Sequence, residues 1–189
     1  GENNVANSTV AYGLRPLGKV DGNPAAGGQS PYRIADNAST SVYQGDLVGL
    51  GATGNVVPVT SSATTTILGV FNGCLIDVSP TTGKPTWKNF YTQTDVTQGN
   101  INAYVIDDPN QLYLVKSTGT AAGNSALATS YGILHAAGSS VTGISGVYLN
   151  MGSSTTGQLR PISVSPFIGN EEGNVNEDFV VKIKASSLI

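Results

Sequence analysis

The sequence predicts an all-β protein, an antiparallel barrel or sandwich with an extended N-terminal arm. Three observations predict this fold class. The chain of 189 residues contains only 4 Glu and 6 Lys, although these residues are among the best helix formers. Short apolar runs alternate with clusters of Gly, Asn, Ser and Pro at roughly 8–12-residue spacing, which is typical of barrels and sandwiches. Residues 179–184 alternate apolar and polar side chains, as in a half-buried strand.

Residues 1–31 are predicted to form the arm, and residues 32–189 the β-rich domain. Residues 1–9 are polar and rich in Asn, and Pro16 disfavours helical angles at the residue before it. A frayed terminus would also explain this composition. Scattered apolar side chains favour instead an arm that docks on a partner, and whose removal costs the domain little stability. The predicted contact residues are Val5, Val10, Tyr12, Leu14, Arg15 and Leu17.

The strands of the domain are predicted between turn signals. Residues 47–50 and 56–59 flank the Gly- and Asn-containing loop 51–55 and form a hairpin, in which Pro58 confines its strand to an edge or a bulge. Compact apolar runs follow at 67–71 and 74–78.

Further along the chain, residues 101–106 and 111–115 flank the sequence Asp-Asp-Pro-Asn and form a second hairpin candidate. The two adjacent aspartates should point in opposite directions, so that they do not share a site. Residues 124–134 are the one helix candidate, with Asn124 or Ser125 as its N-cap. In the C-terminal strand, Val181 and Ile183 should point inward.

Charge and composition exclude several classes of function. Nine basic and twelve acidic residues give a net charge of −3, and Lys and Arg do not cluster, so we expect no nucleic-acid partner. No run approaches the ~18 apolar residues of a membrane-spanning helix. The glycine-rich phosphate loops of nucleotide-binding proteins are also absent from the sequence. We therefore expect neither a membrane partner nor a cofactor.

The residues that could support catalysis or metal binding are few. A Ser-His-Asp site would have to use the single histidine, His135, and no Gly-x-Ser-x-Gly motif accompanies a serine. One Cys and one His cannot supply a zinc site, and Cys74 lies in an apolar run as a small buried side chain. Four carboxylates at residues 171–178 form either a solvated loop, which we favour, or a Ca²⁺ site. We expect no enzyme and no metal.

Six turn-and-strand motifs together resemble the small β-rich virion structural proteins of tailed bacteriophages, in particular head decoration or cement proteins. The likeness covers roughly residues 10–180. The motifs are residues 12–16 (YGLRP), 31–35 (PYRIA), 43–48 (YQGDLV), 68–74 (LGVFNGC), 82–86 (TGKPT) and 105–109 (VIDDP).

The resemblance implies a protein present in many copies in the virion, on the outer surface of the capsid, where it bridges neighbouring major capsid subunits. Self-association as a dimer or trimer on the capsid is expected with it. Two alternatives remain open. One is a carbohydrate-binding β-module of a phage tail or fibre, with Trp87, Phe90 and Tyr91 as candidate contacts. The other, ranked last, is an enzyme built around His135.

Overall fold

The computed structural model describes residues 6–24, 28–60, 66–93, 100–119, 122–154 and 157–184. These residues form fourteen β-strands and one short 3₁₀ helix, which spans Gly123–Ala128. The prediction of an all-β fold is therefore confirmed. The fold combines features of the predicted barrel and the predicted sandwich, because one layer is a closed barrel and the other is an open sheet packed against it.

The first layer is a closed barrel of five strands with a sixth strand attached. The strand order β10-β12-β11-β13-β14 returns to β10, which also pairs with β1. Neighbouring strands are antiparallel except for the parallel pair β10–β12. The strands are β1 (Arg15–Lys19), β10 (Gln111–Thr118), β11 (Tyr131–Leu134), β12 (Tyr148–Ser154), β13 (Leu159–Val164) and β14 (Asp178–Ile183).

The second layer is an open sheet of order β2-β9-β6-β4-β5, with β7 paired to β6, and a two-stranded sheet of β3 and β8 lies beside it. The pairs in both sheets are antiparallel. The strands are β2 (Gln29–Ile34), β3 (Val42–Tyr43), β4 (Leu47–Leu50), β5 (Val56–Pro58), β6 (Thr66–Ile76), β7 (Thr86–Lys88), β8 (Phe90–Tyr91) and β9 (Ile101–Ile106).

Two apolar clusters hold the layers together. The first fills the barrel with side chains such as Tyr113, Leu149 and Phe179, and it includes Ile67 and Val70 from the open sheet. The second lies on the opposite face of the open sheet and contains Leu68, Phe71, Cys74, Tyr91 and Val105, among others. Because successive strand residues point to opposite faces, β6 supplies side chains to both clusters. The barrel and the open sheet therefore share the first cluster, whereas the second lies on the far side of the sheet.

The turn at residues 107–110 carries the chain from the open sheet into the barrel. Asp107 accepts a hydrogen bond from the Tyr32 hydroxyl in β2 at 2.7 Å, and Asp108 forms a 2.6 Å ion pair with Lys19 in β1. The two carboxylates point to different partners, as predicted. The predicted hairpin of 101–106 with 111–115 is wrong, because β9 pairs with β2 and β6, whereas β10 pairs with β1, β12 and β14.

The N-terminal segment is integrated into the fold rather than extended away from it. The boundary predicted after residue 31 falls inside β2, and β1 pairs with β10 of the barrel. Leu14 is only 1% exposed and belongs to the barrel cluster. Asn7 donates hydrogen bonds to the carbonyl oxygens of Glu171 and Val175, both at 3.1 Å. The described part of the predicted arm is thus a structural part of the domain.

Of the smaller predictions, two are confirmed and one is wrong. The hairpin of β4 and β5 is confirmed, and Pro58 does lie in the edge strand β5. Val181 and Ile183 are buried in the barrel, as the alternation predicted. The helix predicted over residues 124–134 is wrong, since the 3₁₀ helix ends at Ala128 and β11 begins at Tyr131. Tyr131 and Ile133 lie in the barrel cluster, and burying them in a strand outweighs a weak helical signal.

Candidate functional site

The predicted contact residues of the N-terminal segment do not share one environment. Val10 is 71% exposed, Leu17 is 36% exposed, and Arg15 lies at the surface. Leu14 is buried in the core, which contradicts its predicted role as a contact for a partner. Tyr12 is partly buried, and Val5 lies outside the described residues.

A backbone turn at Gly13 separates these residues. Gly13 has φ +69°, and a Cβ there would come within 2.5 Å of the Ser145 Cβ, so that both the angle and the space require glycine. The amide of Leu14 then donates to the carbonyl of Gly45 at 2.9 Å. This turn directs Leu14 into the core while Tyr12 and Arg15 stay near the surface.

Charged side chains hold Tyr12 in place. The guanidinium of Arg15 lies 4.5 Å from the centre of the Tyr12 ring and the ammonium of Lys116 lies 5.7 Å from it, both within cation–π range. The Tyr12 hydroxyl donates to Asp178 at 2.7 Å, and Lys116 pairs with the same carboxylate at 2.7 Å. Burial raises the pKa of Tyr12, the Asp178 carboxylate raises it further, and Arg15 partly offsets both. Tyr12 is therefore a neutral hydrogen-bond donor over the usual pH range.

A surface groove of about 550 Å³ lies between the N-terminal segment and residues 136–148, and we refer to it as the groove. Its walls are mostly small or apolar, and Arg15 is the one charged side chain among the described residues that line it. The hydroxyl of Tyr148 donates to the Thr9 carbonyl at 2.8 Å and so fastens one wall to the other. The residues that line the groove include Val10, Ala11, Tyr12, Arg15, Ala136, Ala137 and Ile144.

An apolar tip projects from the loop between β13 and β14. It consists of Phe167, which is 55% exposed, and Ile168, which is fully exposed. Asn170 fixes the loop: its amide donates to the carbonyls of Ser165 and Asp178, both at 3.1 Å, and its oxygen accepts from the Asp178 amide at 2.7 Å. The loop therefore presents two large apolar side chains to solvent on a hydrogen-bonded support.

The acidic segment 171–178 follows this tip, and the structure gives three of its carboxylates internal partners, including Glu172, which accepts a hydrogen bond from the Asn124 side-chain amide at 2.5 Å. Glu177 is 1% exposed and accepts hydrogen bonds from the amides of Gly123 (3.0 Å) and Gly173. Asp178 binds Lys116 and Tyr12. Glu171 and Glu172 remain exposed. Within the described ranges, no group of three or more His, Cys, Asp and Glu side chains is placed to hold a metal ion.

The single histidine lies near a buried aspartate. Asp46 is fully buried, accepts a hydrogen bond from the Tyr43 amide at 2.8 Å through one oxygen, and has no hydrogen-bond partner at the other. Burial raises the pKa of Asp46, whereas the Ser145 hydroxyl, the Tyr43 amide and the charge of His135 act in the opposite direction.

Ser145 and the Nε2 atom of His135 are not hydrogen-bonded to each other. Ser145 is 2% exposed, and its oxygen accepts a hydrogen bond from the Val147 amide at 3.0 Å. The Nε2 atom of His135 is buried without a hydrogen-bond partner, so this ring nitrogen does not contact a serine hydroxyl. A serine nucleophile needs its hydroxyl within hydrogen-bond reach of the base. The Nε2 atom of His135 is therefore not placed to act as a base for Ser145.

Trp87 and Tyr104 form an aromatic platform on the open sheet. Trp87 is 49% exposed, its ring centre lies 5.2 Å from that of Tyr104, and it covers Gly73, where a Cβ would come within 2.4 Å of the indole. Asn102 and Arg33 pair directly across β9 and β2 beside it. Of the other predicted glycan contacts, Phe90 stacks on Tyr43, and Tyr91 is fully buried, so Tyr91 cannot contact a ligand.

Sequence reasoning missed the apolar tip, its Asn170 support, and Tyr104. The signal for the tip was present as two large apolar residues between Pro166 and Gly169, where a turn normally carries polar side chains. Tyr104 gave no comparable signal, because it lies in a strand whose alternate residues are buried.

No helix among the described residues is long and apolar enough to cross a membrane. Comparison with known proteins finds no matching family model, no matching curated relative and no matching solved structure.

Proposed function

We propose that this protein is a non-enzymatic decoration or cement protein, which binds the outer surface of a phage head and stabilises contacts between major capsid subunits. The observation that carries the proposal is the apolar tip. Ile168 is fully exposed and Phe167 more than half exposed, on a loop that Asn170 holds in one conformation. Large apolar side chains presented in this way are typical of protein–protein contacts.

The support for a contact function comes from pre-organisation. A binding loop that is already ordered loses less conformational entropy when it docks. The closed barrel supplies this order, because β13 and β14, which carry the loop, pair with each other and with other barrel strands on their far sides.

Charge supports the outer rather than the inner surface of a head. A protein that lines packaged DNA gains affinity from Lys and Arg, whereas this chain has a net charge of −3. The exposed Glu171 and Glu172 beside the tip add negative charge where the proposed contact forms. We therefore place the protein on the outside of the virion, in contact with the major capsid protein.

The experiment that tests the proposal measures binding to purified heads that lack the protein. The full chain should sediment with heads in a fixed, near-stoichiometric ratio. The double variant Phe167→Ser/Ile168→Ser should bind about tenfold more weakly or worse, because both exposed apolar side chains are lost. Val78→Ser is the matched control, since Val78 is exposed at a distance in sequence from the tip. Equal binding by all three proteins would contradict the role of the tip, and failure of the full chain to bind would contradict the proposed function.

One observation favours a second candidate, a carbohydrate-binding module. The Trp87–Tyr104 platform exposes an indole in the same cross-strand row as Asn102 and Arg33, because Leu75 pairs with both Trp87 and Asn102, and Asn102 pairs with Arg33. Aromatic faces accept the apolar side of a sugar ring, and adjacent polar groups can bind its hydroxyls. A glycan array distinguishes the candidates: a sugar ligand lost in Trp87→Ala but retained in Phe167→Ser would support the module, and the absence of any ligand would exclude it.

A further inference from the structure

The apolar tip is a projecting feature, and the groove is a concave one with mostly small or apolar walls. Phe167 and Ile168 project into solvent, whereas the groove is a concave surface of about 550 Å³. This volume lies in the range of binding sites that take compact apolar ligands. The walls that the tip would meet are Val10, Ala11, Ala136, Ala137 and Ile144.

The charges next to the two surfaces are complementary. Arg15 is the one charged side chain among the described residues that line the groove. Glu171 and Glu172 follow the tip by three and four residues, and both are exposed. If the tip enters a groove lined by Arg15, these carboxylates lie in the same contact. Opposite charges at the rim of an interface fix its register and reject partners of the same sign.

The tip does not fill the groove of its own chain. In the single chain Phe167 and Ile168 are exposed, and the three hydrogen bonds of Asn170 hold their loop at the end of β13 and β14. The same groove on a second copy of the chain is an acceptor that the protein itself supplies, as an alternative to a capsid subunit.

We propose that the chain associates with itself, with the Phe167–Ile168 tip of one copy seated in the Arg15-lined groove of a second copy. The contact joins two different patches, so that it closes either as a twofold exchange of both tips or as a ring. This inference goes beyond the proposed function, which includes no contact between copies, and a given tip can serve the capsid contact or the groove but not both at once. It does not depend on a capsid, because the isolated chain carries both surfaces.

The direct test is disulfide trapping. Two single variants, Ile168→Cys at the tip and Ala137→Cys in the groove, are mixed under mild oxidation. A covalent dimer should form in the mixture and not in either variant alone. The wild-type chain is the control, since its Cys74 is fully buried. A mixed dimer no more abundant than the dimers of each separate variant would overturn the proposal.

Sedimentation velocity gives a second, independent test. The wild-type chain should associate as its concentration rises, and Phe167→Ser/Ile168→Ser should weaken that association by about tenfold or more. Val78→Ser should leave it unchanged.

Charge reversal then tests the register of the contact. Arg15→Glu and Glu171→Lys/Glu172→Lys should each weaken the association, and combining them should restore it, because the opposite charges again face one another. A thermal melt of each variant confirms that it is folded. A wild-type chain that stays monomeric throughout, or charge reversals that do not compensate, would overturn the proposal. Head binding by such a monomer would leave the decoration function standing with a different partner for the tip.

Discussion

The closed barrel and the open sheet present their surfaces in different ways. The five strands of the barrel pair in a ring, so that none of them offers a free edge. Some exposed apolar side chains of the barrel layer lie on strands, as Leu134 and Ile162 do, but the most exposed pair, Phe167 and Ile168, projects from a loop. The open sheet ends at β2 and β5, and it exposes part of a face through Trp87 and Tyr104. Closure of a sheet removes its edges as binding surfaces, which leaves loops and grooves for contacts.

The alternation along β9 explains where the open sheet becomes exposed. Asn102, Tyr104 and Ile106 lie on one face of the strand. Ile106 packs against the barrel cluster, whereas Tyr104 contacts the half-exposed Trp87. On this one face of the sheet, the part at Ile106 is covered by the barrel, whereas the part at Tyr104 lies beyond the barrel. The barrel decides which part of the sheet is core and which part can bind a ligand.

The largest expected effect comes from removing residues 1–20, which would delete β1 and Leu14 from the barrel layer. We expect the truncated chain to lose cooperative unfolding in a circular dichroism melt, because a strand and a fully buried leucine are lost together. Deletion of residues 1–5 is the control, since the contacts described here begin at Asn7. Normal folding of the longer deletion would show that the barrel is independent of the N-terminal segment and would restore the predicted arm.

The next prediction tests whether the barrel and the sheet unfold together. Leu149→Ala in the barrel and Leu68→Ala in the sheet should each lower the free energy of unfolding by about 2–5 kcal/mol. The barrel cluster includes Ile67 and Val70 of the open sheet, so the two layers should unfold together. Urea denaturation should therefore show one transition by both far-ultraviolet circular dichroism and Trp87 fluorescence. Transitions that separate between the two probes would mean that the layers are distinct folding units.

A smaller effect is expected at the support of the apolar tip. Asn170→Ala removes three hydrogen bonds and leaves the Ser165 and Asp178 backbone groups without these partners. The cost should be about 1–3 kcal/mol in urea denaturation, with faster hydrogen exchange in residues 165–170. Asn124→Ala, which loses one exposed bond to Glu172, should cost less. Equal costs for the two variants would contradict the role of Asn170 as the support.

The smallest expected effect concerns the buried Asp46. Because burial raises the pKa of this carboxyl in the folded chain, the folded state binds its proton more tightly than the unfolded state. The contribution of Asp46 to stability is therefore fully present below the unfolded pKa, near 4, and is lost as the pH rises through the folded pKa. The Asp46→Asn variant has no carboxyl group at this position and therefore lacks this pH-dependent contribution to stability. The wild-type chain should lose stability relative to the variant as the pH rises above about 4, and a constant difference would show that the pKa of Asp46 is not raised.

The sequence predicted the positions of individual strands better than it predicted which strands pair with each other. Val181 and Ile183 were placed correctly, because a period of two needs only adjacent residues. The pairing of residues 101–106 with 111–115 failed, since each run is apolar enough to be central in a different sheet, and local pattern cannot choose between partners distant in sequence. The same limit explains Leu14: its burial depends on β10, almost a hundred residues away, and not on the polar composition around it.

The candidate surfaces show this limit more strongly. The groove joins residues near 10–15 to residues near 136–148, and nothing in either segment alone indicates the other. Exposure of the Phe167–Ile168 tip depends on the Asn170 hydrogen bonds to Ser165 and Asp178, which span the base of the loop. The exposed part of the sheet depends on where the barrel stops. These are properties of assembled layers, so they could be read only from the fold.

A cryo-electron microscopy reconstruction of heads incubated with the purified chain tests the central claim most directly. We predict density for the chain at regularly repeated positions on the outer surface, across boundaries between capsid subunits, with the loop at residues 165–170 in contact with a neighbouring molecule. The same heads incubated with Phe167→Ser/Ile168→Ser should show weak or absent density at those positions. Heads that remain bare when saturated with the wild-type chain, or density confined to the tail, would contradict the account.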